Sequence, residues 1–491
     1  KTSILLRKTV TKHRQKGMVI IMNKQLPRIL IAAPSSGSGK TTATCAILTL
    51  LRRRGIGVAA CKCGSDYIDP MFHESVLGIP SANLDNFFCD GNLLRCLLAE
   101  NDELAVIEGV MGYYDGSNSK AADNNPDSDM PTDSKALGYS YYSSYTVASE
   151  TRTPVVLVID GKGACASLIA LLEGFVSFVP DSQIRGVIFN NLTASTYSIL
   201  KKLTEARFGD RVEPLGYIPK LPDKCMLGSR HLGLVTAAEV SDLREKLDKI
   251  ADLCAATLDI ERLIEIAEAA NELEFTPPEI VSHKPIRLAV ARDKAFCFYY
   301  KDTLALLCKM GAEIVSFSPL ANEPLPDADG LYLGGGYPEL YADRLQANKR
   351  TRDSIYSAVR SGMPTIAECG GFQYLGQTLE GRKMCGVLPQ DTNNTGELVR
   401  FGYVDLISRV DSLFGPAGTR LRAHEFHYYD SSDNGDGFDA VKPSGKSWRA
   451  GVLTERLYAG YPHLWLYSNL GAAESFYRKC LEYRAEKQAF K

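Results

Sequence analysis

Residues Ala33–Thr41 read APSSGSGKT and follow an apolar run, Ile29–Ala33, that predicts a β-strand. The next segment, Thr42–Arg53, has the character of a helix. A strand, a glycine-rich turn and a helix start in this order form a phosphate-binding loop, because successive backbone N–H groups and the positive end of the helix converge on one anion. The stretch matches the GxxxxGK[ST] pattern except that Pro34 stands where the first glycine is expected.

Each residue of this loop has a task in nucleotide binding. Gly37 and Gly39 allow the backbone to turn tightly around phosphate oxygens, and Lys40 supplies a positive charge for the outer phosphates. The Thr41 hydroxyl is of the kind that ligates Mg²⁺. The alternative, a Ser/Gly turn before an ordinary helix, gives the Lys-Thr pair no purpose. We therefore predict that ATP is bound by Gly37, Ser38, Gly39, Lys40, Thr41 and Thr42.

The composition is that of an ordinary globular protein. The 491 residues are 45% hydrophobic and 23% charged, with a formal net charge of −2, so nothing indicates a nucleic-acid or membrane partner. No apolar run reaches the ~20 residues that a membrane span requires. Thirteen cysteines without a CxxC pair are typical of reduced thiols, and we therefore expect a cytoplasmic protein.

Strand-like runs alternate with helix-length segments in two stretches of the chain. This alternation predicts an α/β fold with two doubly wound domains, each a parallel sheet covered by helices. The predicted divisions are a dispensable basic extension at 1–25, a P-loop domain at 26–240, a helical segment and linker at 241–285, and a second domain at 286–481. The polar, tyrosine-rich stretch Ser117–Tyr145 interrupts the first alternation and indicates a surface loop or a lid.

Carboxylates follow two predicted strands of the first domain. Asp66 and Asp69 lie after the second strand, and Glu108 and Asp115 lie after the third. Because the carboxyl ends of parallel strands meet beside the phosphate loop, these oxygens are placed to hold Mg²⁺. Each acid could instead be a turn residue or a helix cap. We assign metal binding to Thr41, Asp66 and Glu108, and positioning of substrate or phosphate to Tyr67, Asp69 and Asp115.

A candidate nucleophile lies in the second domain, in Thr365–Leu375, which reads TIAECGGFQYL. This order of strand, cysteine, glycine pair and helix predicts a sharp turn that exposes Cys369, beside N–H groups that can stabilise an oxyanion. The helix start also favours a lowered thiol pKa, whereas simple packing of a buried cysteine is the alternative. Gly370 and Gly336, the latter from a glycine turn at Gly334–Gly336, are the predicted oxyanion donors.

A nucleophilic thiol needs a base, and our candidate is His463 in the stretch AGYPHLWLYSN, near the end of a predicted strand. His424 and His427 in HEFH have a spacing that could suggest a metal site. A strand would direct these two side chains to opposite faces, however, so we do not predict a metal there.

In their order along the chain, these motifs resemble those of the cobyrinic acid a,c-diamide synthases, which are glutamine-dependent enzymes of corrinoid biosynthesis. The resemblance covers roughly Leu26 to Leu481 and rests on GSGKT, KCGSDYIDPMFH, EGVMGYYDG, SRHLGLVTAAE, GLYLGGGYPE, AECGGFQYLG and RLRAHEFHY, followed by His463. It implies an amino-terminal ATP-dependent domain, similar to dethiobiotin synthetase, joined to a class I glutaminase domain.

The resemblance also implies a reaction in two halves. With Mg²⁺, ATP phosphorylates the a and c carboxylates of cobyrinic acid, and ammonia released from glutamine at Cys369, with His463 as base, then attacks the acyl phosphate. Activation is needed because a carboxylate and ammonia do not condense in water near neutral pH. The implied small-molecule partners are a corrinoid tetrapyrrole, glutamine and ATP, and a homodimer is one assembly that we consider.

Two alternatives stay open from the sequence. One is the same amidation of another tetrapyrrole, such as hydrogenobyrinic acid or nickel-sirohydrochlorin. The other is a P-loop partitioning-type ATPase without ligase activity, because a motif is a hypothesis until its context is known.

The chain departs from the family at one catalytic position. Family members commonly read HLH at the late histidine, whereas Trp465 is the second residue after His463 here. Class I glutaminases elsewhere often carry an acid at that place. The sequence alone therefore names no group that orients His463.

Overall fold

The structure is a computed structural model that describes residues 9–10, 20–116, 141–222, 225 and 237–489. The chain divides into two compact units, Lys1–Pro278 and Glu279–Lys491. Each unit contains a largely parallel sheet with helices connecting its strands, so the predicted α/β fold class is confirmed. Within the described residues, every helix is too short or too polar to cross a bilayer.

The first unit is a parallel sheet with connecting helices. Its strands span Thr9–Val10 (β1), Met22–Lys24 (β2), Arg28–Ala32 (β3), Val58–Cys63 (β4), Ser81–Leu84 (β5), Leu104–Glu108 (β6), Val155–Asp160 (β7), Ile184–Leu192 (β8), Glu213–Pro219 (β9) and Leu273–Phe275 (β10). Its α-helices span Lys40–Arg53, Ile68–Phe72, Gly91–Leu98, Ser144–Thr151, Ser167–Ser177, Ala194–Phe208, Ala237–Ala255 and Ile260–Glu268. The parallel sheet has the order β5-β4-β6-β3-β7-β8-β9, and β1-β2-β10 form a small antiparallel sheet.

The central strands of this sheet are buried on both faces. Every residue of β3, β4 and β6 is buried, as expected for parallel strands covered by helices on two sides. The helix Lys40–Arg53 begins directly after the phosphate loop and packs its apolar residues into the same core. The carboxyl ends of β3, β4 and β6 therefore meet at one edge, next to the loop.

The segment 241–285 differs from the helical linker that we expected. Its two helices contribute apolar side chains to the hydrophobic core of the first unit, namely Leu247, Ile250, Cys254, Ile260 and Leu263. Strand β10, which follows them, pairs with β2. An amphipathic helix is stabilised by burying its apolar face, and here the first unit offers that surface. The first unit consequently extends to Pro278 and does not end at residue 240.

The predicted basic extension is partly structural. Met22–Lys24 forms β2, and Lys24 Nζ donates hydrogen bonds to Ala99 O at 2.8 Å and to Asn101 O at 2.6 Å. Residues 22–25 therefore belong to the fold, and the predicted extension at 1–25 is too long. Residues 1–8 and 11–19 lie outside the described residues, as do 117–140 of the predicted loop or lid and most of the SRHLGLVTAAE motif.

The second unit combines a parallel sheet with antiparallel sheets. Its strands span Ile286–Ala291 (β11), Ala312–Phe317 (β12), Gly330–Leu333 (β13), Thr365–Glu368 (β14), Thr378–Leu379 (β15), Arg382–Lys383 (β16), Asp391–Asn394 (β17), Arg400–Ser408 (β18), Arg420–His427 (β19), Tyr429–Ser431 (β20), Phe438–Val441 (β21), Ser447–Ala450 (β22), Val452–Leu453 (β23), Leu457–Gly460 (β24) and His463–Leu464 (β25). Its α-helices span Lys301–Met310, Ala342–Ala347, Lys349–Arg360, Gly370–Leu375 and Leu470–Ala489. The sheet orders are β12-β11-β13-β14-β24-β23, β22-β21-β18-β19-β25 and β16-β15-β17-β20.

The position of β24 brings the segment around Gly460 next to the carboxyl end of β14. The two strands pair in parallel, with Glu368 opposite Gly460, and Cys369 N donates a hydrogen bond to Gly460 O at 2.8 Å. Three residues after Gly460 the chain enters β25, where His463 pairs with His424 of β19. The antiparallel sheet was not anticipated from the alternation of strands and helices, and it fixes the backbone of His463.

A buried arginine ties several elements of the first unit together. The Arg28 guanidinium is fully buried and donates to Leu26 O at 2.9 Å, Thr151 O at 2.7 Å, Asn271 O at 2.8 Å and Thr153 Oγ1 at 3.1 Å. Burial lowers the pKa of Arg28 to about 10, which leaves it charged at neutral pH. The side chain thus satisfies carbonyl groups that water does not reach.

We expect Arg28→Met to lower the free energy of unfolding by about 3 kcal/mol or more, because several buried carbonyls lose their donor. The control Arg185→Met removes an exposed guanidinium that lies 3.3 Å from Asp181, and its effect should stay below about 0.5 kcal/mol. Urea denaturation followed by circular dichroism measures both variants. Equally small effects would contradict the structural role of Arg28.

Candidate functional site

The phosphate loop follows β3 at the predicted place. Gly37 and Gly39 have φ angles of +82° and +101°, and a Cβ at Gly39 would lie 2.2 Å from Asn190 Nδ2. Asn190 is held there because its Nδ2 donates to Ser38 O at 3.0 Å. Glycine is therefore required at position 39, and the loop leads directly into the helix that begins at Lys40.

The Lys40 ammonium faces main-chain oxygens beside the loop. Its Nζ donates to Ser35 O at 3.3 Å and, at closer range, to Met111 O. Met111 has a φ of +48°, which is uncommon for a residue with a side chain. Burial and then the positive charge of Lys62 lower the pKa of Lys40. A phosphate group in the loop would supply the negative charge that favours the ammonium form.

Glu108, at the end of β6, is the centre of a buried charged cluster. Its Oε1 accepts hydrogen bonds from Thr41 Oγ1 at 2.6 Å and from Lys62 Nζ at 3.2 Å. Its Oε2 lies 3.5 Å from His73 Nε2, and Lys62 Nζ also lies 2.5 Å from Asp69 Oδ2. The structure thus joins three predicted site residues with a lysine and a histidine that the sequence analysis did not name.

The charges in this cluster depend on one another. Burial raises the pKa of Asp69 to about 6, and the charge of Glu108 adds to the increase. Burial also disfavours ionised Glu108, yet Lys62, His73 and Thr41 together hold the pKa of Glu108 at about 2. For Lys62, burial opposes the charged form, while Glu108 and Asp69 raise the pKa above its ordinary value. Lys62 therefore remains a fixed positive charge beside Glu108.

Asp66 and Asp115 stabilise turns in the structure. Asp66 Oδ1 accepts a hydrogen bond from Ile68 N at 2.8 Å, and Asp115 Oδ2 accepts one from Gly112 N at 3.0 Å. These are the contacts of turn residues, the alternative that the sequence left open. In the described part of the chain, Asp69 and not Asp66 makes the contact with the Glu108 cluster. Tyr67 lies between them, buried at the start of a short helix.

The geometry fits a Mg²⁺ ion held at Thr41 and Glu108. Their side-chain oxygens are 2.6 Å apart, and Glu108 Oε2 accepts no hydrogen bond from the described residues. Mg²⁺ commonly takes one or two protein oxygens, while phosphate and water fill its other positions. Across the described ranges, no group of three or more His, Cys, Asp or Glu side chains could hold a metal on its own. Thr41 and Glu108 thus suit a metal that arrives with a nucleotide.

Cys369 joins β14 to the helix Gly370–Leu375 through a strained turn. Its φ and ψ angles are 48° and −103°, a conformation that residues with side chains rarely adopt. The hydrogen bond from Cys369 N to Gly460 O holds this turn against β24. A strained residue between a strand and a helix is the arrangement that presents a nucleophile at the end of a sheet.

The expected lowering of the Cys369 pKa is wrong for this structure. Burial is the largest effect and raises the pKa of the thiol well above its ordinary value, and the carboxylate of Glu339 adds to the increase. The N–H of Gly370 acts in the opposite direction but is outweighed. A neutral thiol needs a neighbouring base to accept its proton when it attacks.

His463 and Cys369 approach Gly335 together. A Cβ at Gly335 would lie 2.4 Å from His463 Cε1, 3.2 Å from His463 Nε2 and 3.4 Å from Cys369 Cβ. The histidine and the cysteine therefore both approach Gly335. The imidazole faces this glycine with the edge that carries Cε1 and Nε2. The predicted base therefore lies close to the predicted nucleophile.

Gly336 and Gly370 approach each other beside the thiol. A Cβ at Gly370 would lie 3.2 Å from Gly336 N, so the two backbones are adjacent. Gly336 has a φ of +151°, and a Cβ there would lie 2.2 Å from Ala295 O, which excludes any side chain. Backbone N–H groups at this place can stabilise negative charge that develops on a carbonyl oxygen attacked by the thiol.

A carboxylate lies on the other side of His463. Glu368 Oε2 is 3.7 Å from His463 Nδ1, and both side chains are buried. Trp465, which stands where related glutaminases often carry an acid, is fully buried with its ring centroid 4.9 Å from that of Tyr300. Trp465 is thus part of the core, and the nearby acid comes from β14.

Three residues of these sites were not predicted from the sequence: Lys62, His73 and Glu368. A signal existed for two of them, because Lys62 is a charged residue inside an apolar strand and Glu368 ends an apolar strand just before the nucleophile. Burial of such a charge requires a partner of opposite charge or a hydrogen-bond donor. His73 had no comparable signal, since nothing in its local sequence indicates that it approaches Glu108.

A cleft of about 420 Å³ opens at the residues that follow the glycine turn. Its lining includes Glu339, Tyr341, Arg344, Arg382 and Tyr429. Burial raises the pKa of Glu339 to about 7. The charge of Glu339 also raises the pKa of the Cys369 thiol, so one carboxylate of the cleft acts electrostatically on that thiol. Charges of both signs suit an amino acid with its ammonium and carboxylate groups.

Two family models match the chain. Residues 29–235 match the CobQ/CobB/MinD/ParA nucleotide binding domain, and residues 287–470 match the CobB/CobQ-like glutamine amidotransferase domain. Together they cover the phosphate loop with its acidic cluster and the Cys369–His463 site.

Several known proteins are similar to this chain over nearly its whole length. A cobyrinate a,c-diamide synthase of Listeria monocytogenes serotype 4b (strain F2365) is 38% identical over 460 residues, which cover 90% of this chain and 97% of the relative. A protein of the same name from Streptococcus sanguinis (strain SK36) is 38% identical, over 90% of this chain and 97% of its own length. One from Thermoplasma volcanium is 36% identical, over 94% and 99%. This chain belongs to the family of cobyrinate a,c-diamide synthases.

Proposed function

We propose that the protein is an ATP-dependent, glutamine-hydrolysing ligase that amidates the a and c carboxylates of cobyrinic acid. The observation that carries this proposal is the strained Cys369 beside His463 in one unit of a chain whose other unit holds a phosphate loop. Relatives named cobyrinate a,c-diamide synthase support the substrate, since they match this chain over almost their full length. Thirteen cysteines without a CxxC pair, together with the small-molecule substrates, support a cytoplasmic enzyme.

In the first unit, the loop residues 37–42 bind ATP, and Thr41 and Glu108 hold Mg²⁺. The metal, when bound, offsets negative charge on the phosphates. Lys40 holds the outer phosphates, and Lys62 presents a second positive charge that Glu108 and Asp69 keep in place. The terminal phosphoryl group passes to a carboxylate oxygen of the macrocycle, which yields an acyl phosphate and ADP. Tyr67, Asp69 and Asp115 remain the residues that we propose to position the substrate or the phosphate.

In the second unit, Cys369 Sγ attacks the carboxamide carbon of glutamine while His463 Nε2 accepts the thiol proton. Gly336 and Gly370 stabilise the oxyanion through their N–H groups. His463 returns the proton to the leaving nitrogen, so ammonia departs and a thioester remains. Water then hydrolyses the thioester to glutamate. The cleft beside Glu339 receives the ammonium and carboxylate groups of glutamine.

A direct assay tests the overall function. The protein is incubated with ATP, Mg²⁺, glutamine and, separately, cobyrinic acid, hydrogenobyrinic acid or nickel-sirohydrochlorin, and amides are counted by mass spectrometry. We expect two amides on cobyrinic acid, with formation of ADP, phosphate and glutamate. Two amides on another macrocycle alone would overturn the substrate, and ATP hydrolysis without glutamate release would favour a partitioning-type ATPase.

The two sites can be separated by substitution. We expect Cys369→Ala to abolish glutamine-driven amidation and to leave ammonia-driven amidation within about twofold of wild type, because only the first needs the thiol. Lys40→Met should reduce both activities at least about 100-fold, because both need the activated acid. The measurement is ADP and amide formation with either nitrogen donor. Loss of both activities in a folded Cys369→Ala variant would contradict the two-site scheme.

The electrostatic role of Lys62 is accessible to a stability measurement. We expect Lys62→Met to lower the free energy of unfolding by about 3–5 kcal/mol, because Glu108 and Asp69 lose their shared counter-charge in a buried place. Adding Glu108→Gln should recover part of that loss.

The matched control is Lys201→Met, which removes an exposed ammonium 3.9 Å from Glu205 and should cost less than about 0.5 kcal/mol. Chemical denaturation compares the variants. If the double variant is as unstable as Lys62→Met alone, the cluster is not held together by these charges.

A further inference from the structure

We propose that Glu368 positions His463 for proton transfer with Cys369, an inference that rests on the proposed glutaminase function. Glu368 ends β14 and directly precedes the nucleophile, so a single strand end supplies both the thiol and the acid. His463 Nδ1 lies 3.7 Å from Glu368 Oε2, while the Nε2 side of the imidazole and Cys369 Cβ both approach Gly335.

The Glu368 carboxylate is itself held in place by two donors. Its Oε1 accepts a hydrogen bond from Leu464 N at 2.9 Å, and its Oε2 accepts one from Tyr332 Oη at 3.0 Å. Leu464 follows His463 in β25, so the first of these bonds fixes the histidine backbone relative to the carboxylate. With about 1% of its surface exposed, Glu368 has little water to screen its charge.

This arrangement favours the tautomer that catalysis needs. A carboxylate beside Nδ1 favours a proton on that nitrogen, which leaves Nε2 as an acceptor towards Cys369. When the thiol attacks, the proton moves from Sγ to Nε2, and the imidazolium that forms faces the negative charge of Glu368. Glu368 itself takes no proton in this step.

The thiol, the neighbouring tyrosine and the neighbouring histidine do not supply this charge. Cys369 is a thiol whose pKa is raised by burial, and Tyr332 donates its hydroxyl to Glu368. His424, the partner of His463 in the neighbouring strand, has its pKa lowered to about 3 by burial and by His463, so it is neutral. Trp465 occupies the place where related enzymes often carry an acid. Glu368 on β14 therefore provides the carboxylate that position 465 lacks in this chain.

The substitution Glu368→Gln isolates the charge from the structural contacts. A glutamine can still accept the hydrogen bond from Leu464 N and still meet the Tyr332 hydroxyl, but it presents no carboxylate to Nδ1. We expect the kcat of glutamine hydrolysis to fall about 100-fold, in the range found for loss of a positioned acid–base partner. The KM for glutamine should stay within about threefold, and ammonia-driven amidation should be unchanged.

Two further variants separate positioning from simple stability. Glu368→Asp keeps the charge with a shorter side chain, and it should retain at least about tenfold more glutaminase activity than Glu368→Gln. Tyr332→Phe removes one hydrogen bond of Glu368 but keeps the carboxylate, so its kcat should fall less than about fivefold. Thermal unfolding and ammonia-driven amidation report whether each variant is folded.

Three results would overturn the inference. They are a Glu368→Gln variant with more than about a third of the wild-type kcat, an equal loss in Glu368→Asp and Glu368→Gln, and a parallel loss of ammonia-driven amidation. The last two would make Glu368 a structural residue. A wild-type protein that hydrolyses no glutamine would instead refute the proposed function, and this inference with it.

Discussion

The register of parallel strands decides which charged side chains meet in each unit. In the first unit, Lys62 of β4 stands opposite Glu108 of β6. In the second, Glu368 of β14 stands opposite Gly460 of β24, three residues before the chain reaches His463. Because the carboxyl ends of neighbouring parallel strands share one edge, side chains far apart in sequence converge there without a long connection. A shift of one residue would turn Lys62 or Glu368 to the opposite face and dismantle the site.

Burial at these edges then determines the charge of each group. A lone charge is costly away from water, so Lys62 is stable as an ammonium only because two carboxylates approach it. For Cys369, burial raises the pKa of the thiol and the carboxylate of Glu339 adds to the increase, which favours the neutral thiol. The same physical cause thus gives one unit a fixed positive charge and gives the other a neutral nucleophile that depends on its base.

The features that could be predicted from the sequence are those fixed by local chain geometry. The phosphate loop and the Cys369 turn each follow from a strand, glycines and a helix start within about a dozen residues. The partners of Lys62 and Glu368 could not be read in this way, since they depend on which strands become neighbours. The same holds for the thiol pKa, where a local helix effect was expected and burial by the whole unit outweighs it. The helical segment of 241–285 could not be assigned to the first domain from the sequence, because an amphipathic pattern does not say which surface will cover its apolar face.

The two lysines of the first unit differ in what compensates their charge. Lys62 is compensated by carboxylates of the chain itself, whereas Lys40 is held by carbonyl oxygens of Ser35 and Met111. A carbonyl carries only a partial charge, so burial still lowers the pKa of Lys40. Phosphate oxygens would replace a partial charge with a full one at Lys40, and they would change little at Lys62. We therefore expect Lys40 to be the residue whose interactions differ most between the free and the nucleotide-bound protein.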